Sequence, residues 1–428
     1  MKNLKNTGAL SLTVLALPAL ALFTLILFTL ALLTLTLLTT SKAQAESFSD
    51  AITDVFVEGD ISLNLRYRYE FVDQDGIDKD AGASTLRSRV TLTSGKLGNF
   101  QALVEVDNVS YLGGDTFNNT ENGETSRPVV ADPDYTDINQ AYLSYFFNQK
   151  NTVSVGRQRI NHGGQRFLGG VAWRQNEQTF DAARLQLSPS DRLKLDYSYI
   201  WGVNRIFGPE GPLGNAEFEG QSHAALAHYT INDQHSLSGF AYLLDLEGGD
   251  LNSSHTYGLE YLGNIQVNDA LKLGVNLSYA KQSSAEDNPI DYDADYYFAE
   301  LSATFKPLSI AMGQEALGSD KGIKGFSTPL ATGHKFQGFA DKFLATPANG
   351  VKDSYLKVVS NISGVKLVLF YHDFDSEENS MDYGSEIDFV ASYSFKENYQ
   401  ILFKYAAYNA DEYKTDTDKA WLMISAAF

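Results

Sequence analysis

The chain has 428 residues, no cysteine and a net charge of −20. The absence of cysteine excludes a disulfide framework and thiolate metal sites, and the acidic balance argues against a nucleic-acid partner. Tyr (24) and Phe (26) are abundant, and no linker-like shift in composition divides the chain, so one large closed architecture is expected rather than several domains.

Residues 1–45 read as a signal peptide. Lys2 and Lys5 form a positive start, residues 8–40 are an uncharged Leu/Thr/Ala run, and Ala43 and Ala45 are the small residues a signal peptidase reads. Cleavage is expected after Ala45. The run is also long enough to span a bilayer, for which ~20 residues suffice, so an uncleaved anchor is the competing reading. Removing Lys2, Lys5 and Lys42, with no acid in the segment, takes the charge from −20 to −23.

From residue 58 onward the polarity alternates strictly in segments of about ten residues, the pattern of transmembrane β-strands. LNLRYRYEF (63–71), LKLDYSY (193–199), LKLGVNLSY (271–279) and YQILFKY (399–405) carry it most clearly. A strand turns successive side chains to opposite faces, so one face meets lipid and the other a polar interior. Connections alternate in length. The short ones, rich in Asn, Asp, Gly, Pro and Ser, are 94–99, 148–151, 188–191, 232–234, 264–270, 306–307, 361–364 and 395–398. The long ones are 73–81, 112–134, 161–178, 202–220, 245–252, 282–289, 317–351, 375–381 and 409–417. Eight short and nine long connections join 18 strands. The expected fold is therefore all-β: an antiparallel up-and-down outer-membrane barrel over 46–428, with short periplasmic turns and long outer loops. The last segment ends on Phe428, a terminal aromatic strand resembling the signal read by the barrel-assembly machinery.

The same alternation selects the lumen residues. The cations are Arg66, Arg68, Arg87, Arg89, Arg157, Arg159, Arg184, Lys194, Lys272, Lys366 and Lys404. The acids are Glu70, Glu105, Asp107, Asp196, Glu260, Glu386 and Asp388. Eleven cations against seven acids, in a chain of −20, place the negative charge in the loops and leave an anion-focusing lumen. The cluster Arg66, Arg68, Arg87 and Arg89 on two adjacent strands is read as excess positive charge.

Residues 156–185, GRQRINHGGQRFLGGVAWRQNEQTFDAARL, break the strand pattern with a glycine-rich loop bearing Arg166, Trp173 and Arg174. Gly156-Arg157-Gln158, Gln165-Arg166, Trp173 and Phe180 to Leu185 resemble the alginate export family of outer-membrane barrels. So does 326–353, through His334-Lys335-Phe336-Gln337-Gly338-Phe339-Ala340-Asp341-Lys342-Phe343 and Thr346-Pro347. The resemblance implies an 18-stranded pore with an arginine-rich constriction that passes a polyuronate. It implies that Arg157, Arg159, Arg166, Arg174 and Arg184 line an anion path, with Asp181 as acidic partner and Lys335 and Lys342 as further candidates. Both stretches lie in long outer loops, which are expected to fold into the lumen.

Seven histidines are present, and only His372-Asp373 pairs with an acid in sequence. Neighbours on a strand face opposite ways, so no catalytic site is expected, and no cofactor or metal. Acidic loops such as 373–382 read as solvated charge, since no Ca²⁺-loop spacing supports them. The expected function is a passive outer-membrane channel selective for anionic solutes, acidic poly- or oligosaccharides first. A general porin for small nutrients or organic anions is second and an outer-membrane hydrolase third. Outer-membrane lipid, lipopolysaccharide and periplasmic secretion or uptake factors are the expected partners.

Overall fold

A computed structural model describes residues 53, 55, 57–209 and 216–428. The signal-peptide segment 1–45 lies outside the described residues. Eighteen strands follow one another. They are β1 (Asp60–Gln74), β2 (Ala81–Thr93), β3 (Phe100–Tyr111), β4 (Thr136–Asn148), β5 (Asn151–Gln158), β6 (Thr179–Leu187), β7 (Leu193–Asn204), β8 (Glu217–Asn232), β9 (His235–Leu244), β10 (Ser254–Gln266), β11 (Leu271–Ser284), β12 (Asp293–Phe305), β13 (Leu308–Leu317), β14 (Val351–Ile362), β15 (Val365–Asp375), β16 (Asp382–Phe395), β17 (Tyr399–Ala410) and β18 (Thr417–Ala427). Each pairs antiparallel with its neighbours in sequence. β1 pairs with β18 as well as β2, which closes an 18-stranded barrel and leaves no free edge.

The alternation sets which face each side chain takes. On β16 and β17, Ile387, Phe403 and Tyr405 are exposed apolar groups on the outer wall, while Glu386, Asp388, Lys404 and Ala406 point inward and are buried. In a membrane the outer row meets hydrocarbon, and closure satisfies every ladder group without water. No helix among the described residues is long and apolar enough to cross a membrane.

The outer half of the lumen is packed rather than open. Loop residues Leu168 and Leu330 join Ile160, Phe180, Val203, Phe218 and Tyr242 in one cluster. Loop residues Phe326, Ala340 and Phe343 join Phe374, Tyr383, Tyr408 and Trp421 in another. Loops 161–178 and 318–350 are therefore folded into the barrel. Fully burying each large apolar side chain is worth about 1.5–3 kcal/mol, which offsets the entropy of ordering long connections.

Candidate functional site

The two inward loops reach opposite walls and meet between them. Loop 161–178, which joins β5 to β6, crosses to β1 and β2. There Arg66 donates to Gln175 Oε1 (2.9 Å), to the Ala172 carbonyl (2.8 Å) and to the Arg174 carbonyl, while Arg68 donates to the Trp173 carbonyl (2.6 Å). Loop 318–350, which joins β13 to β14, crosses to β16–β18. The Ala340 amide donates to Glu386 (2.7 Å), the Phe339 amide to Asp388 (3.2 Å) and Lys419 to Asp341 (2.8 Å). Gly338 has φ +79, and a Cβ there would lie 2.3 Å from Glu386 Oε2, so only glycine lets the backbone come this close to the wall.

Where they meet, the loops bond like a short piece of sheet. The Gly169 amide donates to the Leu330 carbonyl (2.9 Å), the Thr332 amide to the Gln165 carbonyl (3.1 Å) and the Val171 amide to Thr332 Oγ1 (3.1 Å). Arg174 spans the junction, with Glu70 on β1 and Asp341 on the other loop each 3.2 Å away. The His334 ring stacks on Trp173 (4.5 Å, 9°). Lys404 Nζ lies 2.7 Å from His334 Nε2, and Asp341 lies 2.7 Å from its Nδ1. An ammonium can only donate, so Nε2 accepts and Nδ1–H donates to Asp341. That fixes one neutral tautomer, and burial holds the His334 pKa well below its ordinary value. Asp341 is held well below the carboxylate range: its own burial opposes this, but His334 and Lys419 overcome it.

The predicted site residues divide by environment. Arg66, Arg68, Arg87 and Arg89 are nine-tenths or more buried; three of the four meet acids, while Arg66 is held by loop carbonyls and Gln175. Arg68 meets Asp132 and Glu70 (3.3 Å), and Arg89 forks onto Asp107 (2.6 Å) and reaches Glu177 (2.9 Å). Arg87 lies 3.7 Å from Glu177. Arg159 clamps Glu105 and Glu177. Burial alone would raise Glu177; the Arg89 and Arg159 guanidiniums bring its pKa down to about 2. Arg166 is bound by Glu315 (2.6 Å) and Gln337 (3.0 Å). Arg184 forks onto Asp196 (2.9 Å). Lys335 donates to the Gly164 carbonyl (2.9 Å) at the loop seam. Lys342 is buried against Thr417 and the Tyr408 ring, and burial with nearby Lys419 lowers its pKa to about 8.

Arg157 and Asp181 depart from expectation. They pair with each other (2.9 Å), but Asp181 falls between Phe180 and Ala182, both fully buried toward the lumen. Register puts Arg157 opposite Asp181, so the pair occupies the outward face near the outer rim. Arg159 escapes the same parity because β5 ends at Gln158 and the chain then turns inward.

Space remains along the other side of the lumen. A cavity of about 280 Å³ lies between the loop seam and the β8–β15 wall, bordered by His162, Lys335, Glu260, Glu300 and Lys357 among others. It shares Leu226 with a second cavity of about 360 Å³. That cavity shares Thr152 and Gln186 with a third of about 250 Å³. The last two reach the short-turn end at Lys150, Ser188 and Phe146. Sequence reasoning passed over Lys357 and Glu300, although strand alternation around Tyr355-Leu356-Lys357 marks this lysine as inward. It also missed Asp132 and Glu177 as partners of the arginines, because loop acids carry no parity signal. His372 bonds to Asp353 (2.9 Å) from the neighbouring strand, not to Asp373.

The closed 18-stranded antiparallel barrel is a fold shared with outer-membrane porins. OccAB4 of Acinetobacter baumannii superimposes with a TM-score of 0.68 at 15% identity, covering 86% of this chain and 98% of that one. OpdO of Pseudomonas aeruginosa gives 0.69 at 15% identity, over 88% and 99%, and OccK9 (OpdG) of the same organism gives 0.68 at 14%, over 87% and 99%. At such identities the likeness concerns the fold. Over residues 57–199 the chain matches the alginate export family model, which covers the first of the two stretches that carry the resemblance. No curated protein matches the sequence.

Proposed function

We propose that the protein is a passive channel in the outer membrane of a Gram-negative bacterium with a preference for anionic solutes, acidic saccharides first among them. The observation that carries the reading is the row of three neighbouring cavities, which share lining residues. Their lining holds seven basic side chains (Lys150, Arg159, Arg166, Arg184, Lys194, Lys335 and Lys357) against five acidic ones (Asp196, Glu260, Glu300, Glu315 and Asp353). In a chain of −20, a basic route walled by low-dielectric protein concentrates anions. The match to the alginate export family over 57–199 supports an acidic saccharide as solute.

A second reading, a general porin for small organic anions, is favoured by size: cavities of about 250–360 Å³ suit one small sugar better than a polymer. In this account the signal peptide is removed after Ala45, β18 ending near Phe428 is read by the assembly machinery, and lipopolysaccharide surrounds the outer rim. Edman sequencing of the mature protein tests the first point and should begin at Glu46. Planar-bilayer recording under a KCl gradient tests the function. The zero-current potential should indicate chloride over potassium, and replacing Arg159, Arg184 and Lys335 with Gln should move it toward zero. Cation preference contradicts the anionic reading. Block by oligouronates, or its absence, separates saccharide from general porin.

A further inference from the structure

We propose that the cavity at the loop seam is a binding subsite for zwitterionic solutes, taking an ammonium at Glu260 and Glu300 and a carboxylate at Lys335 and Lys357. The inference rests on the channel reading and refines it.

The acidic arm is set by register. Glu260 on β10 lies opposite Ser278, and Asn276 on β11 lies opposite Glu300 on β12. These residues form one patch on the lumen face. Asn276 borders the same cavity as Glu260 and Glu300, and its Oδ1 is buried without a hydrogen-bond partner. Buried acceptors are ordinarily satisfied, and this patch lacks an N–H donor. Tyr355 donates to one oxygen of Glu300 (2.7 Å).

The basic arm comes from the loop and the wall. Lys335 spends one proton on the Gly164 carbonyl (2.9 Å) and has two more to give. Lys357 borders the same cavity as Lys335 and is only loosely held, 3.8 Å from Glu300. A carboxylate between the lysines pairs with both. Phe336 and Phe370 border the same space, under the cationic ends of Lys335 and Lys357, and suit an apolar linker.

The other charges lining this cavity are committed elsewhere. Arg166 is bound to Glu315 (2.6 Å) and Asp353 to His372 (2.9 Å). Two acids and two lysines remain to face a solute. A simple anion meets the carboxylates unfavourably and a simple cation meets the lysines; a molecule carrying both charges satisfies each arm.

Three probes of matched length test this in planar bilayers at neutral pH: 4-aminobutyrate, butyrate and butylammonium. Current block by 4-aminobutyrate should have an apparent Kd at least tenfold below either single-charge probe. Glu260→Gln and Lys335→Met should each remove that advantage, and Lys335→Arg should restore part of it. Heat-modifiable gel migration identifies folded barrels, and only those enter the comparison. Equal block by butyrate and 4-aminobutyrate in the unaltered protein, or an undiminished advantage in Glu260→Gln, overturns the subsite and leaves the channel reading standing. A folded barrel that passes no current overturns both.

Discussion

Arg66 shows what the arginines do at residue scale. Its guanidinium spends its donors on the backbone and side chain of loop 161–178, so it holds chain, not solute. Glu177 completes the clamp with Arg89 and Arg159. Removing one partner of a buried ion pair costs about 3–5 kcal/mol, because the other charge stays buried and uncompensated. Glu177→Gln should therefore loosen the loop, seen as added open-channel noise and larger substates in single-channel records; an unchanged record contradicts the clamp. The pH dependence has a definite sign. The Glu177 pKa falls from an ordinary 4.5 to about 2 on folding, so its contribution is complete above about 4.5. It is lost as pH falls through about 2. Noise should rise over that acid window in the unaltered protein, and Glu177→Gln should be noisy across it.

The strands were legible at the scale of elements because a half-lipid, half-polar wall forces a period of two, and 63–71 shows it in nearly every residue. The loops obey no period. Their glycine, aromatic and basic content marked 156–185 and 326–353 as ordered, but not which wall each would reach. Parity also misled at Arg157, which looks equivalent to Arg159 in sequence although β5 ends between them; Asp181, implied by the resemblance, faces outward with it. The junction of the loops depends on Gly169, where a Cβ would sit 2.5 Å from Thr332 Oγ1. Gly169→Val should push the loops apart and raise unitary conductance, and bilayer recording checks this. Conductance at the unaltered level would mean that the seam does not limit flow.

For the whole molecule, the barrel encloses two unlike sides. The loops are tied by polar contacts to β1–β3 and β16–β18, while the cavities lie in a row along β4–β15. The bilateral division was not legible in the sequence, because it depends on which distant carboxylates the loops find. Shortening loop 318–350 between Gly325 and Pro347 should raise conductance several-fold while gel migration remains heat-modifiable, since the strands close without it. The central claim is that solutes pass along the cavity side and not through the arginine cluster. The chain has no cysteine, so single cysteines can report the route. In Ser278→Cys, beside the seam cavity, a charged methanethiosulfonate reagent should lower the current within a recording. In Thr85→Cys, buried under loop 161–178 at 1% exposure, the reagent should change nothing. Reaction at position 85 with silence at position 278 would contradict the account.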